Sequence, residues 1–247
     1  MPKLTVIIPT FNEEAYLEDA LFSVAFADEI IVIDSFSTDA TPEIAKKFAT
    51  KFLQRKFDNF SNQKNFALKE ATGDWVLFVD ADERVTHSLE AEIKATIQNP
   101  KHKGYKINFP HFYMNRFLYH HSDDVLRLVK RESASFSGLV HEKLNCDRSV
   151  GKLKNKMLHF TYKSLDSYIS KKESYAWFQA EQEFKKGKKT TWFHLFFKPA
   201  YRFFRSFILK GGFRDGVPGL TVAAVNAYGV FERYVKLMLL NKGIEKK

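Results

Sequence analysis

Cysteine is almost absent from this sequence. Cys146 stands alone among 247 residues, which excludes a disulfide scaffold or a thiolate-cluster zinc site and fits a reducing compartment. Long apolar runs are also missing. The first one, Leu4 to Ile8, is too short for the core of a signal peptide. The nearest approach to a membrane span, Val217 to Phe231, is interrupted by Asn226 and falls short of the roughly 18 apolar residues required. These absences predict an intracellular protein with no spanning helix. Internal repeats and low-complexity linkers are lacking too. What is present is ample for a core: 45% hydrophobic and 15% aromatic residues exclude wholesale disorder.

Acid is scarce in one part of the chain only. The formal net charge is +10, but residues 1–150 hold 19 basic and 22 acidic side chains, whereas residues 151–247 hold 20 basic and 7 acidic ones. Such asymmetry points the later part toward a polyanion and leaves the earlier part for something else.

Lys3 to Pro9, Ile30 to Ile33 and Trp75 to Val79 read as continuous apolar strands, the pattern of strands buried on both faces. Helical spacing follows each: Tyr16 to Val24 with Asn12 as the expected N-cap, Thr41 to Thr50, Asn62 to Ala71 stopped by Gly73, and Ser88 to Gln98 closed by Pro100. This alternation predicts an α/β fold built on a mainly parallel sheet flanked by helices. Shorter strand-like segments at Tyr105 to Phe109, Val125 to Val129 and Met157 to Tyr162 add a mixed second part of that sheet. From residue 164 onward the pattern is helical. The expected domains are one over 1–163, dividing at about residue 100, and a helical extension over 164–247.

Polar residues gather just after the strand ends, where open α/β sheets bind ligands. Asp80-Ala81-Asp82 places two carboxylates at a strand end, a hard-oxygen site suited to magnesium or manganese and, through the metal, to a diphosphate; an acidic turn that merely solvates the strand end has the same sequence. Asp34 follows the second strand, where a carboxylate accepts hydrogen bonds from a ribose or a base, or else caps the next helix. For Asp39 the helix-start role is the expected one. His120-His121-Ser122-Asp123 lacks a third ligand at useful spacing and is not read as zinc. His111, His120 and His121 are placed in a loop with Asn115 and Arg116.

Val6-Ile7-Ile8-Pro9-Thr10-Phe11-Asn12-Glu13-Glu14, Asp34-Ser35-Phe36-Ser37-Thr38-Asp39 and Gly73-Asp74-Trp75-Val76-Leu77-Phe78-Val79-Asp80-Ala81-Asp82-Glu83 resemble, in order, the successive motifs of family 2 glycosyltransferases. The resemblance is dense over residues 3–98. Leu139-Val140-His141-Glu142-Lys143-Leu144 and the Tyr- and Lys-rich segment after His159 resemble the branch containing lipopolysaccharide core β-glucosyltransferases. The resemblance implies a GT-A fold and an inverting, metal-dependent transfer of a hexose from a nucleotide-sugar, a UDP-sugar by family frequency, to a lipopolysaccharide-core, lipid-linked or other cell-envelope glycan. Carried over by position, Pro9, Phe11 and Glu13 line the nucleotide pocket and Asp34 holds uracil or ribose. Lys64 lies near the base or diphosphate, unless it is a solvated helix lysine. Asp80 contacts ribose and donor sugar, Asp82 coordinates the metal with His159 as a second ligand, and Glu142 is the catalytic base. Many relatives carry Glu-Asp where this chain has His141-Glu142. His159 could equally be a hydrogen-bonded core residue, and Phe11 could be core.

Lys185 to Arg214 holds nine basic residues and no acid. Phe193, Phe196, Phe197, Ala200, Phe204, Phe207 and Ile208 recur there at helical spacing, while Lys198, Arg202 and Arg205 fall on a different face. An apolar aromatic face beside a cationic one is the pattern of a helix lying in an anionic membrane interface; the plain alternative is a surface helix packed on the core. Peripheral attachment to the cytoplasmic face of the inner membrane is therefore expected. Nucleic acid is not, since no binding module accompanies the charge. Two other functions share parts of this pattern. A nucleotidyltransferase also uses paired acids and a metal, but would carry a Gly-rich basic loop where Thr10 to Glu14 stands. A non-catalytic membrane- or nucleic-acid-binding module would leave the three ordered motifs without a purpose.

Overall fold

The computed structural model describes residues 1–138, 143–146, 149–160 and 164–244. The chain forms two compact units, Met1–Phe109 with Asp123–His159, and Pro110–Ser122 with Phe160–Lys247. The second thus takes in Pro110–Ser122, a stretch that sequence alone groups with residues 101–163.

In the first unit the elements run β1 (Leu4–Thr10), α1 (Glu14–Ser23), β2 (Glu29–Asp34), α2 (Thr41–Phe48), β3 (Lys51–Gln54), α3 (Phe60–Glu70), β4 (Trp75–Phe78), β5 (Glu83–Val85) and α4 (His87–Gln98). Then come β6 (Gly104–Tyr113) and β7 (Arg116–Lys130), which both extend into the second unit, and β8 (Ala134–Ser137), β9 (Lys143–Cys146) and β10 (Val150–His159). Eight strands make one sheet in the order β3-β2-β1-β4-β7-β6-β10-β5, and β8 and β9 form a separate ribbon. β1 runs parallel to β2 and β4, and β2 parallel to β3. β7 against β4 and β5 against β10 are antiparallel. This is the mixed, mainly parallel GT-A-like sheet flanked by helices.

Alternation along the central strands explains why they read as unbroken apolar runs. Leu4, Val6 and Ile8 of β1 and Trp75 and Leu77 of β4 pack with Leu17 and Leu21 of α1 and Leu89 and Ile93 of α4. Ile7, Val76 and Phe78 point the other way, into a cluster with Ala67 and Leu68 of α3 and with Phe136 and Leu144 of the ribbon. Both faces are covered, so both parities are apolar. β3 and β5 lie at the two ends of the sheet order, are only four and three residues long, and offered no such signal.

Two local expectations are corrected. Asn12 is not a helix cap: its φ is 54°, α1 starts after Glu13 with no side-chain cap, and Asn12 instead accepts from Thr38 N through Oδ1 (2.9 Å) while its own N–H donates to Ser37 Oγ (2.8 Å). Gly73 does not stop α3, which ends at Glu70. Its reason is close approach, since a Cβ there would lie 2.7 Å from Thr5 N, and its N–H donates to Thr5 Oγ1 at 2.9 Å.

The second unit contains α5 (Leu165–Lys185), α6 (Trp192–Phe204), a π-helical turn at Arg205–Leu209, a 3-10 turn at Gly212–Asp215 and α7 (Gly216–Asn241). The stretch with His111, His120 and His121 is not a loop but the end of the β6–β7 hairpin, closed by Met114 and Asn115, both at positive φ. Tyr113 and Leu118 from that hairpin pack with Tyr168, Val222 and Val225, and Ala180 packs with Tyr234 and Leu237. His121 is buried, with Nδ1 3.1 Å from Asp215 Oδ2 and Nε2 3.1 Å from Ser206 Oγ. Its carboxylate neighbour accepts, so Nδ1 carries the hydrogen and Nε2 accepts from the serine hydroxyl. Along α6 no residue is buried. Among the described residues, no helix is long and apolar enough to cross a membrane.

Candidate active site

The site builds up from the C-terminal ends of β1, β2 and β4. Beyond β1, Phe11 is 58% exposed, so it is not core; it stands on the loop that Asn12 ties to the β2–α2 loop. Pro9 pairs with Ile33 inside the sheet. Glu13 donates its N–H to Thr41 Oγ1 at 2.8 Å, and its carbonyl accepts from the first turn of α1. Asp39 accepts from Glu14 N (3.2 Å) and Thr41 N (3.0 Å), serving the starts of α1 and α2 together. Asp34 is fully buried, and its carboxylate accepts from Ser37 N (2.9 Å), Gln54 Nε2 (3.1 Å) and Thr10 Oγ1 (3.3 Å). In this structure Asp34 shapes the loop rather than presenting an open acceptor.

The acidic turn after β4 is held on every side. Asp80 N donates to Glu83 Oε2 and Glu83 N to Asp80 O, both at 2.9 Å. Arg84 donates to the carbonyls of Ala81 and Glu83 (2.8 Å each) and of Tyr16 in α1 (2.7 Å). Arg127 Nη2, from β7, reaches Asp80 Oδ2 at 2.7 Å and Glu83 Oε1 at 2.5 Å. Lys64 Nζ, from α3, lies 3.7 Å from Asp80 Oδ1 and over the Phe136 ring at 5.4 Å. Lys64 is only 4% exposed, so the solvated-lysine reading fails. Burial works against charge on Asp80, but Arg127 and Lys64 outweigh it and hold the carboxyl well below its usual range. Glu83 is pushed up to about 7 by burial, with the Asp80 charge adding and Arg127 opposing. Burial disfavours charge on Arg127 too, yet the two carboxylates keep it firmly protonated.

β10 supplies the histidine. Its antiparallel register with β5 sets His159 opposite Glu83, and His159 Nε2 comes 3.3 Å from Asp82 Oδ2, the side chains 24% and 27% exposed. Burial lowers the imidazole pKa, but hydrogen bonding and attraction to Asp82 raise it above its ordinary value. His159 is therefore joined to the acidic turn rather than sequestered in the core. An oxygen and a nitrogen donor so placed, both open to solvent, fit a divalent cation that takes its other positions from diphosphate and water. Among the described residues no set of three or more such donors forms.

Lys64, Phe78, Asp80, Arg127 and Phe136 line one part of a cavity of about 490 Å³. Glu142 and His141 lie outside the described residues. The chain on either side reaches this cavity's surroundings: Lys143 lines it, and Gly138 O accepts from Ser61 Oγ of α3 at 2.5 Å. Sequence reasoning missed Arg127, Glu83 and Arg84. The available signal was Arg127 itself, a lone charge inside the apolar strand Val125 to Val129, which demands a buried acidic partner.

The family described as "Glycosyl transferase family 2" matches residues 5–161. An uncharacterized glycosyltransferase of Rickettsia typhi is 30% identical over 98% of this chain and 88% of its own length. The lipopolysaccharide core biosynthesis glycosyltransferase LpsC of Rhizobium meliloti is 27% identical over 96% and 93%. Among solved structures, S. aureus TarS 1–349 in complex with UDP-GlcNAc aligns with a TM-score of 0.51 at 17% identity, over 99% of this chain and 93% of that one. The mannosyltransferase PcManGT from Pyrobaculum calidifontis in complex with GDP-Man and Mn2+ aligns with a TM-score of 0.56 at 16% identity, over 96% and 87%. At such identities the structural likeness is one of fold.

Proposed function

Since the chain belongs to glycosyl transferase family 2 and is an inverting transferase using a nucleotide-sugar, we propose that it moves a hexose from a UDP-sugar to a lipopolysaccharide-core or other lipid-linked cell-envelope glycan. The observation that carries this reading is the Lys64–Asp80–Arg127 cluster beside the Asp82–His159 pair. It sets fixed cations and one open donor pair at a strand end, beside a cavity, as a diphosphate leaving group requires. The name of the rhizobial relative supports the acceptor class.

A magnesium or manganese ion held by Asp82 and His159 would neutralise charge on the departing diphosphate. The protein's own groups do the rest. Arg127 fixes Asp80 for the ribose and donor sugar, and Lys64 faces the diphosphate. Exposed Phe11, with Pro9 and Glu13, borders the nucleotide, and Asp34 holds the loop around it. Glu142 takes the proton from the acceptor hydroxyl as its oxygen attacks the anomeric carbon; the bond to the diphosphate breaks and its electron pair leaves with the diphosphate. One displacement inverts that carbon. Support for Glu142 comes from its motif and its chain neighbour Lys143 at the cavity.

An anionic membrane surface, on the cytoplasmic face, is the proposed platform. Trp192 (76% exposed), Phe193, Phe196, Phe197 (65%), Tyr201 and Phe204 lie bare along α6, with Arg202 and Arg205 exposed nearby, whereas Lys198 donates to Tyr234 Oη at 2.8 Å. So much exposed aromatic area with flanking cations suits an interface of headgroups and acyl chains.

Calorimetric titration with UDP, GDP and dTDP, each with manganese and with EDTA, tests the donor. Selective metal-dependent UDP binding is expected. Another nucleotide winning would change the donor, and no binding in the presence of anionic liposomes would remove the transferase reading. Flotation with phosphatidylglycerol against phosphatidylcholine vesicles tests the platform, with binding to the former alone expected.

A further inference from the structure

The cavity beside Asp80 is lined by more than the Lys64–Asp80–Arg127 cluster. β9 lies close against β6 and β7, since a Cβ on Gly104 would come within 3.1 Å of both Cys146 Sγ and Leu126 Cδ1. Lys106, Asp124, Lys143 and Asn145 also line the cavity, with Val125 and Val150 among its apolar walls.

The charges of the cavity do not cancel. Lys64, Lys106, Arg127 and Lys143 face Asp80 and Asp124. Both acids are already engaged. Asp80 is held by Arg127 and Lys64. Asp124 accepts from Asn108 Nδ2 at 2.8 Å and Lys152 Nζ at 2.6 Å. Burial works against its charge, but these two partners, with help from the nearby Lys106 charge, hold its carboxyl below the ordinary value. Lys106 and Lys143 are exposed at the cavity, and among the described residues neither makes a hydrogen bond or ion pair through its ammonium group. Two cations that form no ion pair share a partly enclosed space with apolar walls, where an oxyanion gains more than it would in open water.

We propose that Lys106 and Lys143 on the cavity wall form an acceptor subsite for an oxyanion, a carboxylate or phosphate monoester carried on the acceptor saccharide. The inference rests on the transferase reading only in calling the bound saccharide an acceptor. Lys64 and Arg127 are both tied to Asp80, whereas neither Lys106 nor Lys143 forms an ion pair with it. Lys143 directly follows Glu142, the proposed proton acceptor, in the chain. Recognition of one anionic sugar then sets which hydroxyl is presented, a role of positioning and selection rather than of bond making.

Ligand-observed NMR titration of the full chain, in the presence of UDP and manganese, tests this with glucose, glucuronate and glucose 6-phosphate as probes. The expected result is binding of at least one anionic sugar about tenfold tighter than glucose, a gap that two partly exposed charge-assisted contacts supply. Which of the two anionic probes wins separates carboxylate from phosphate. The double variant Lys106→Glu with Lys143→Glu should erase the preference and leave UDP affinity within about twofold, and the Lys→Arg pair should retain it. Equal binding of all three probes to the wild-type protein overturns the subsite, as solvated lysines predict. So does a fall in UDP affinity in the double variant, which would assign the lysines to the donor. Failure of UDP to bind the wild-type protein, with anionic preference intact, instead counts against the transferase reading alone.

Discussion

Arg127 and Asp80 meet at 2.7 Å although 47 residues separate them, and the same guanidinium nitrogen holds Glu83. One arginine thereby keeps two carboxylates of the acidic turn from repelling each other. Asp80 stays ionised beside the cavity while Glu83, which is buried, is stabilised by its contact.

Replacing Arg127 with alanine should cost about 3–5 kcal/mol, the usual penalty for breaking a buried pair and stranding its partner. Urea unfolding measures it. Adding Asp80→Asn to that variant should restore part of the loss, because the stranded charge is gone. A single variant as stable as the parent would show that the pair contributes no net stability.

Asp82→Asn should weaken manganese-dependent UDP binding at least about tenfold while changing stability by under about 0.5 kcal/mol, as expected of a partly exposed side chain outside the core. Calorimetry with and without EDTA reads the first and thermal melting the second. Unchanged metal dependence would place the ligands elsewhere.

Gly73→Ala should destabilise the first unit by about 1–3 kcal/mol. The added methyl would meet Thr5 N and Oγ1 at 2.7 Å and Lys3 O at 2.9 Å, so β1 or the turn before β4 must move. A neutral result in chemical denaturation would show that the strand entrance yields easily.

His121 makes stability depend on pH. Burial lowers its pKa, against the hydrogen bond and charge of Asp215, and His111 and Lys210 add to the lowering. The folded protein therefore binds the proton less readily than the unfolded chain, whose histidine titrates near its ordinary 6.5. The contribution is fully present above that value and is lost as the pH falls through it toward the folded pKa. The difference in unfolding free energy between the wild type and His121→Asn should shrink between about pH 7 and pH 5. A constant difference would remove His121 from the account.

How much of this was legible depended on what each residue answers to. β1, β2 and β4 declared themselves because both of their faces are buried and local composition says so. β3 and β5 are short strands at the two ends of the sheet order, and are set by their neighbours rather than by their own residues. Lys64, between Gln63 and Asn65, carries no mark of burial, because the wall that covers it is Phe136 on a distant ribbon. Arg127 reaches Asp80 only because β7 pairs with β4 through Leu77 and Leu128, a register no spacing announces. Asn12 looked like a cap because caps favour asparagine, but the left-handed backbone that asparagine also tolerates decided its place.

The pairing of His159 with Glu83 across β10 and β5 has a temporal meaning. Asp80 and Asp82 leave the ribosome about 80 residues before the strand that brings their histidine, an interval that follows from the sequence positions alone. A nascent chain can fold β1 to β4 and still lack a finished centre. A one-residue slip of β10 would turn His159 to the opposite side of the sheet, giving a chain that looks folded but lacks the contact between Asp82 and His159. The Asp82–His159 pair is thus withheld until the last strand of this sheet has found its register.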